Sequence, residues 1–183
     1  METVQTRLAS VYETLKGDFG YKNVNEAATI EKVVISVGTG RVEDKAKIAL
    51  IQDRLALITG QKASPRPARL SIAAFKLREG DIVGYQVTLR GQRMMDFMNK
   101  LVHVALPQTR DFRGLKATSI DEMGNYTLGI KEHTIFPETA DEDIKDVFGM
   151  SITMVTSAKS KEEAEALLRH IQMPLKKPED VEA

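Results

Sequence analysis

Apolar and polar residues alternate along several segments of the chain. In residues 29–37, Val33, Ile35 and Val37 fall on one side and Ser36 falls on the other. The same two-residue period continues in three further segments, which are residues 81–91, 125–131 and 150–158. A period of two predicts β-strands that bury one face and leave the other face polar.

Apolar residues three and four positions apart predict helices between these strands. The predicted helices cover residues 1–20, 43–60, 92–106 and 160–172. Gly60 and Pro107 are expected to end the second and third helices, since glycine readily adopts the left-handed conformation and proline lacks an N–H. Ser160 and Glu163 have the spacing of a capping box at the start of the last helix.

Strands and helices in this order predict an α+β fold. We expect an antiparallel or mixed sheet that has helices packed on one face and leaves the other face open. A single domain is expected over residues 1–173, followed by a disordered tail over residues 174–183. Pro65 and Pro67 favour an edge or irregular strand before the second alternating segment, because proline cannot donate to a strand ladder.

The open face of the predicted sheet combines hydrogen-bonding side chains with cations. Its members are Lys32, Ser36, Gln86, Thr88, Arg90, Asn125, Thr127 and Lys131. Such groups suit a phosphate backbone and sugar hydroxyls. Solvated strand faces are common, however, so this pattern gains weight only together with the distribution of charge.

Charge is distributed unevenly along a chain whose formal net charge is zero. Residues 62–116 contain 11 Lys and Arg against 4 Asp and Glu, whereas residues 117–183 contain 7 against 14. The excess of positive charge in the middle suggests an anionic partner. The alternative is that the two oppositely charged parts pair in space. Together with the polar strand face, the pattern favours RNA.

Composition limits the remaining classes of protein. No apolar run of 18 residues occurs, and the N-terminus lacks the cationic start and apolar run of a secretory signal. The absence of cysteine excludes disulfides and thiolate metal sites. A cytoplasmic protein is therefore expected.

Candidate catalytic groups are few, and no enzyme activity, metal or cofactor is expected. The segment "SVGTGR" resembles a nucleotide-binding turn, but Glu43 stands where a third glycine would be required. We expect a tight turn instead, with positive φ at Gly38 or Gly40. The three histidines belong to different predicted elements, at His103, His133 and His170. None has neighbours at metal-ligand spacing.

The segment "SIAAFKLREG", residues 71–80, fits neither period well. It carries one aromatic residue, Phe75, between small residues and two cations, Lys76 and Arg78. Phe75 could stack on nucleotides while the cations meet phosphates. The alternative is that Phe75 packs into the core of its own domain.

Six short motifs occur together in a fixed order. They are "TGQK" (59–62), "SIAAFKLREG" (71–80), "VTLRG" with "RM" after it (87–94), "VALPQTRDFRG" (104–114), "GNYTLGIKE" (124–132) and "IFPE" (135–138). In this order and spacing the chain closely resembles the bacterial large-subunit ribosomal protein L5 family. The resemblance extends from the first helix to about residue 177.

The resemblance implies a non-catalytic role in the central protuberance of the large ribosomal subunit. The implied 5S rRNA-binding residues are Lys32, Ser36, Gly38, Gln61, Lys62, Arg69, Thr88, Arg90, Asn125 and Thr127. The segment at about 71–81 would be a protruding loop that reaches the P-site tRNA, with contact residues Ser71, Ala74, Phe75, Lys76 and Arg78. Further implied partners are 23S rRNA, neighbouring proteins of the central protuberance and, through the acidic segment after "IFPE", protein thirteen of the small-subunit head.

The chain departs from the family pattern at a few positions. Ser36 stands where asparagine is common, Leu70 and Gln86 stand where lysine is common, and Ala74 replaces a glycine. The loss of two cations should lower the salt dependence of RNA binding. A free-standing RNA-binding or regulatory module, also non-catalytic, is the alternative function.

Overall fold

The alternating segments form the strands of one sheet. The structure, a computed structural model, describes residues 3–40, 42, 44–110, 112–141 and 143–176. Its strands are β1 (Ile30–Gly38), β2 (Ser64–Pro67), β3 (Ile82–Leu89), β4 (Tyr126–Ile130) and β5 (Met150–Thr156). Their order in the sheet is β2-β3-β1-β5-β4. Each segment in which apolar and polar residues alternate therefore contains a strand.

Strand β2 is the edge strand that its two prolines predicted. It pairs antiparallel with β3, with Ser64 opposite Gln86 and Pro67 opposite Ile82. The register shifts between Arg66 and Pro67. An edge position and a bulge are where a strand tolerates residues without an N–H.

Strand β5 also pairs antiparallel with both of its neighbours, β4 and β1. Thr156 meets Gly124 and Thr153 meets Thr127, so β5 and β4 are antiparallel. Ser157 meets Thr29, and further along the strands Ser151 meets Ser36. The predicted α+β fold is confirmed, with an antiparallel sheet.

The helices also follow the predicted pattern. They are α1 (Val4–Phe19), α2 (Lys45–Thr59), α3 (Gly91–Lys100), α4 (Leu106–Gln108) and α5 (Lys161–His170). Gly20 and Gly60 end α1 and α2 with φ of 66° each, in the left-handed region that glycine adopts without steric cost. The Ser160 side chain accepts a hydrogen bond from the Glu163 amide at 3.2 Å, which confirms the cap of α5.

The third predicted helix contains a π-helical turn. Residues Leu101–Ala105 join α3 to α4, and the Leu106 amide donates to the carbonyl of Leu101, five residues earlier. The helix continues through Pro107 and ends at Gln108, two residues beyond the predicted end at residue 106. A period of 3.6 residues does not reveal such an insertion, because the apolar residues on both sides stay buried.

The chain divides into two compact units, so the expectation of a single domain stays a prediction. One unit comprises residues 1–33, 90–128 and 153–183, and the other comprises residues 34–89 and 129–152. The core of the first unit includes side chains of its helices and of β4, among them Val4, Val11, Phe97, Leu101, Tyr126 and Leu167. The core of the second unit includes side chains of α2, β1 and β3, among them Ile35, Val37, Ile51, Leu55, Val87 and Leu89.

The ordered part of the chain extends beyond its predicted C-terminal boundary at residue 173. The Leu115 amide donates to the Pro174 carbonyl at 2.8 Å, and the Lys176 amide donates back to the Leu115 carbonyl at 2.8 Å. Leu175 is buried. Residues 174–176 therefore belong to the fold, and the rest of the predicted tail, residues 177–183, lies outside the described residues.

The glycine turn after β1 also differs from its prediction. Neither Gly38 nor Gly40 has a positive φ. The Thr39 amide donates to the Val83 carbonyl at 2.9 Å, so the backbone stays extended beside β3 at this point. The Val42 amide then donates to the Thr39 carbonyl at 2.9 Å and turns the chain.

Candidate nucleic-acid interface

In the second unit, the polar residues of β1 and β3 alternate with buried apolar residues. Ser36 is half-buried between the buried residues Ile35 and Val37. On β3, Gln86 and Thr88 are likewise half-buried and alternate with buried Tyr85, Val87 and Leu89. The inward side chains thus fix the direction of the outward ones, as the two-residue period predicted.

The end of α2 brings Gln61 and Lys62 to this region. After Gly60 reverses the chain, the Gln61 amide donates to the Thr59 hydroxyl at 3.3 Å. The Gln61 side-chain Nε2 then donates to the Thr88 carbonyl at 3.3 Å. Gln61 is therefore held against β3, while the neighbouring Lys62 side chain is exposed.

Cations of the second unit remain available to an outside partner. Lys62 and Arg69 are exposed, and neither forms an ion pair with a described residue. Gly38 is also exposed, and a Cβ built on it would meet no atom within 4 Å. An approaching molecule could therefore come close to the backbone at this position.

The remaining proposed 5S rRNA-binding residues belong to the first unit. Lys32 is half-buried on β1, and Arg90 is exposed at the N-cap of α3, where its φ is −141°. Thr127 is exposed on β4, and its Oγ1 lies 3.1 Å from Oγ1 of Thr153. The two hydroxyls form a polar pair on adjacent strands.

Asn125 is partly engaged within the protein. Its backbone amide donates to Asp121 Oδ1 at 2.6 Å, and its side-chain Nδ2 donates to Asp121 Oδ2 at 3.0 Å. The side-chain hydrogen bond lowers the pKa of Asp121. Asn125 therefore stabilises the turn before β4 and has less donor capacity left for a ligand than sequence analysis assumed.

Two further hydroxyl residues of β5 were missed. Ser151 and Thr153 are half-buried, and they alternate with the buried residues Met150, Ile152 and Met154. The Ser151 hydroxyl donates to the Ser36 carbonyl at 3.4 Å. The same alternation that identified Ser36 and Thr88 would have identified both residues in residues 150–158.

The predicted protruding loop is exposed along most of its length. Ser71, Ala74, Phe75, Lys76 and Arg78 are all exposed. Phe75 has 70% of its surface accessible, so the alternative that it packs into the core is wrong. Lys76 follows a short 3₁₀ turn, Ala73–Phe75, and adopts a left-handed φ of 52°. The aromatic ring thus stands at a turn with a cation beside it.

The three histidines lie in three separate places in the structure. His133 is fully buried and stacks on Phe148 with a centroid distance of 4.0 Å. His170 Nε2 lies 3.0 Å from the Ser10 hydroxyl and 2.9 Å from the Arg7 carbonyl. His103 is half-buried in the π-helical turn. Among the residues that the structure describes, no group of three His, Cys, Asp or Glu could hold a metal ion.

No described helix combines the length and the apolar character needed to cross a membrane.

Comparison with known proteins identifies the family. The family model described as "Ribosomal protein L5" matches residues 23–78, and the model for the C-terminus of the same ribosomal family matches residues 82–175. The chain is 47% identical over 176 residues to the large ribosomal subunit protein uL5 of Trichlorobacter lovleyi, with coverage of 93% of this chain and 98% of that protein.

Two further relatives give the same result. The large ribosomal subunit protein uL5 of Geobacter sulfurreducens is 47% identical, with coverage of 91% of this chain and 93% of the relative. That of Moorella thermoacetica is 48% identical, with coverage of 92% and 94%. The chain therefore belongs to the ribosomal protein L5 family, as a structural constituent of the large subunit of the cytoplasmic ribosome that associates with rRNA.

Proposed function

We propose that this chain binds 5S rRNA, and neighbouring 23S rRNA and proteins, in the central protuberance of the large subunit. The polar face of the sheet is the proposed contact surface. The observation that carries the proposal is the set of outward residues on β1 and β3, since Ser36, Gln86 and Thr88 are accessible and none of them is acidic.

The chemistry of this surface suits a folded RNA loop. Hydroxyl and amide side chains can exchange hydrogen bonds with ribose hydroxyls and base edges, whereas lysine and arginine neutralise phosphates. Lys62 and Arg69 supply charge in the second unit, and Arg90 supplies it in the first.

The lack of an ion pair at Lys62, Arg69 and Arg90 among the described residues supports an external partner for these cations. Arg54 pairs with the adjacent Asp53, and Arg169 pairs with Glu165 one helical turn away. Lys62, Arg69 and Arg90 form no ion pair with any described residue.

The experiment is a titration of 5S rRNA with the full chain at several salt concentrations. Binding should weaken steeply with salt, and Lys62→Ala and Arg90→Ala should each reduce the slope of log affinity against log salt by roughly 0.7–0.9, the contribution of one phosphate contact. Lys161→Ala is the matched control, because Lys161 is also an exposed lysine and lies on α5, away from β1 and β3 in sequence. If all three variants behave alike, the proposed surface is wrong.

The loop that carries Phe75 is proposed to contact the P-site tRNA. An exposed aromatic ring flanked by Lys76 and Arg78 can stack on a base while the two cations meet phosphates. In ribosomes that carry the chain, Phe75→Ala combined with Lys76→Ala and Arg78→Ala should accelerate release of P-site tRNA. An unchanged release rate would contradict this contact.

The acidic segment after "IFPE" (135–138) is proposed to contribute to an intersubunit bridge with protein thirteen of the small-subunit head. Asp141 and Asp143 are exposed there, whereas Glu142 lies outside the described residues. Replacing both aspartates by lysine should weaken subunit association, since it reverses the charge offered to the partner. Subunit association measured by light scattering tests this contact, and unchanged association would contradict it.

A further inference from the structure

The loop of residues 68–81 is folded without a hydrophobic core of its own. Ala68 and Leu77 are half-buried, and the other residues of the loop are exposed. Leu70 and Phe75 have 73% and 70% of their surfaces accessible. Apolar packing therefore cannot hold this loop in place, and its hydrogen bonds must do so.

Backbone hydrogen bonds close the tip of the loop. The Ile72 amide donates to the Leu77 carbonyl at 3.0 Å, and the Leu77 amide donates back at 3.2 Å. Within this pair, the Phe75 amide donates to the Ile72 carbonyl at 3.2 Å and the Lys76 amide donates to the Ala73 carbonyl at 3.0 Å. The tip is thus a short hairpin that presents Phe75 and Lys76.

Two side chains fasten the hairpin to its base. Asp81 Oδ2 accepts from the Arg78 amide at 2.8 Å, while the Asp81 carbonyl accepts from the Ala68 amide at 2.8 Å. The Ser71 hydroxyl accepts from the Glu79 amide at 2.9 Å. The Asp81 backbone therefore links the two sides of the loop, whereas its side chain holds the backbone of Arg78, which carries one of the contact cations.

We propose that Asp81 and Ser71 are positioning residues, which fold the 68–81 loop in the free protein so that Phe75, Lys76 and Arg78 are presented together before RNA arrives. The proposal rests on the proposed contact with P-site tRNA for its functional part. Asp81 and Ser71 would act on RNA binding indirectly, by holding these three contact residues in position.

Prior folding matters for affinity. A loop that becomes ordered only on binding loses conformational entropy at that step, and this loss lowers the affinity of the contact. An exposed loop without packing would otherwise sample many conformations, and its aromatic ring and cations would have to be ordered on the RNA. A hydrogen bond to a carboxylate is among the stronger ones available to an exposed backbone amide. Asp81 is therefore expected to matter more than Ser71.

The first arm of the experiment measures amide hydrogen exchange of the free full chain by NMR. In Asp81→Ala, exchange of the Arg78 amide should accelerate about tenfold, the loss expected for one hydrogen bond. Asp81→Asn is the matched control, because the side-chain carbonyl of asparagine can still accept from the same amide. It should leave Arg78 exchange close to wild type.

Ser71 gives an independent second variant. Ser71→Ala should accelerate exchange of the Glu79 amide severalfold, since it removes the acceptor of that amide. Ser71→Thr should restore protection, because it retains the hydroxyl. All four substitutions are at exposed positions, so none should alter exchange in the buried strands β1 and β3.

The second arm measures release of P-site tRNA from ribosomes that carry the same variants. Asp81→Ala should accelerate release in the same direction as the triple change of Phe75, Lys76 and Arg78, but by a smaller factor, and Asp81→Asn should not. This pattern, with the exchange result, supports the positioning role.

Two outcomes overturn the inference. In one, Arg78 exchange is the same in Asp81→Ala as in wild type, so the loop does not depend on the carboxylate. In the other, exchange accelerates and the triple variant releases tRNA faster, but Asp81→Ala leaves release unchanged. A triple variant without effect would instead overturn the proposed tRNA contact, and the exchange arm would then decide alone whether Asp81 and Ser71 fold the loop.

Discussion

The polar face of β1 and β3 and the loop of residues 68–81 both present groups suited to RNA, but they are held in different ways. Each outward residue of the face has buried neighbours in its strand, as Thr88 has in Val87 and Leu89. The loop has no such support and depends on local hydrogen bonds. The face should therefore be sensitive to changes in packing, whereas the loop should be sensitive to the loss of single acceptors.

The largest expected effect comes from filling the space between β1 and β3. A Cβ on Gly84 would come within 2.7 Å of the Val37 carbonyl oxygen, a backbone atom that cannot move alone. Gly84→Ala should lower the free energy of unfolding by about 2–3 kcal/mol, the upper part of the usual cost of overpacking, because the close atom is backbone. Denaturant unfolding of the full chain measures this change.

A second glycine provides the control for that experiment. Gly129 lies on β4, and a Cβ built there meets no atom within 4 Å. Gly129→Ala should change the free energy of unfolding by no more than about 0.5 kcal/mol, as for other surface substitutions. Equal losses in the two variants would refute the claim that close strand contact fixes the face.

Alkaline pH should lower the free energy of unfolding through two buried tyrosines of the first unit. Burial raises the pKa of Tyr126 to about 12, and burial together with a hydrogen bond to Glu163 raises the pKa of Tyr21 to about 12. In the unfolded chain both groups ionise near pH 10. Their contribution to stability is therefore complete below pH 10 and is lost as pH rises to 12, by about 2 kcal/mol or less for each group.

Tyr126→Phe sharpens this test. Because phenylalanine has no ionisable group, the variant should lose less stability between pH 10 and 12 than wild type, while Tyr21 keeps part of the dependence. Unfolding in denaturant at several pH values measures both proteins. A pH dependence identical to wild type would contradict the assignment to Tyr126.

The smallest expected effect is that of removing the tip of the loop on 5S rRNA binding. Deletion of residues 74–79 removes five exposed residues and the half-buried Leu77, but no core side chain. The affinity for 5S rRNA should change by less than about twofold, in line with the small effects of changes remote from a contact. If the deletion abolishes binding while Arg90→Ala has no effect, the proposed division of labour is wrong.

Periodicity predicted the strands and helices because both depend on which side chains are buried, while glycine and capping residues predicted most helix ends. Alternation placed Ser36 and Thr88 outward, and the same rule applied to β5 would have added Ser151 and Thr153. Burial patterns could not show that Asn125 is engaged by Asp121, since that contact is a local turn.

Backbone conformation was the harder part to predict. Gly38 and Gly40 looked like a tight turn, yet Thr39 continues the pairing with β3 through the Val83 carbonyl. The order of residues 174–176 depends on a partner far away in sequence, Leu115. The fastening of the loop by Asp81 depends on hydrogen-bond geometry, for which composition gives no signal.

The polar face of the sheet is proposed to lie against 5S rRNA. Because the chain has no cysteine, a single introduced cysteine allows a direct test of this contact. Iron–EDTA tethered to Thr88→Cys in assembled large subunits would cleave RNA close to β3, with Lys161→Cys on α5 as the comparison. If the polar face lies against 5S rRNA, cleavage of 5S rRNA should be strong from position 88 and weak from position 161. Cleavage of 5S rRNA that is no stronger from position 88 than from position 161 would contradict it.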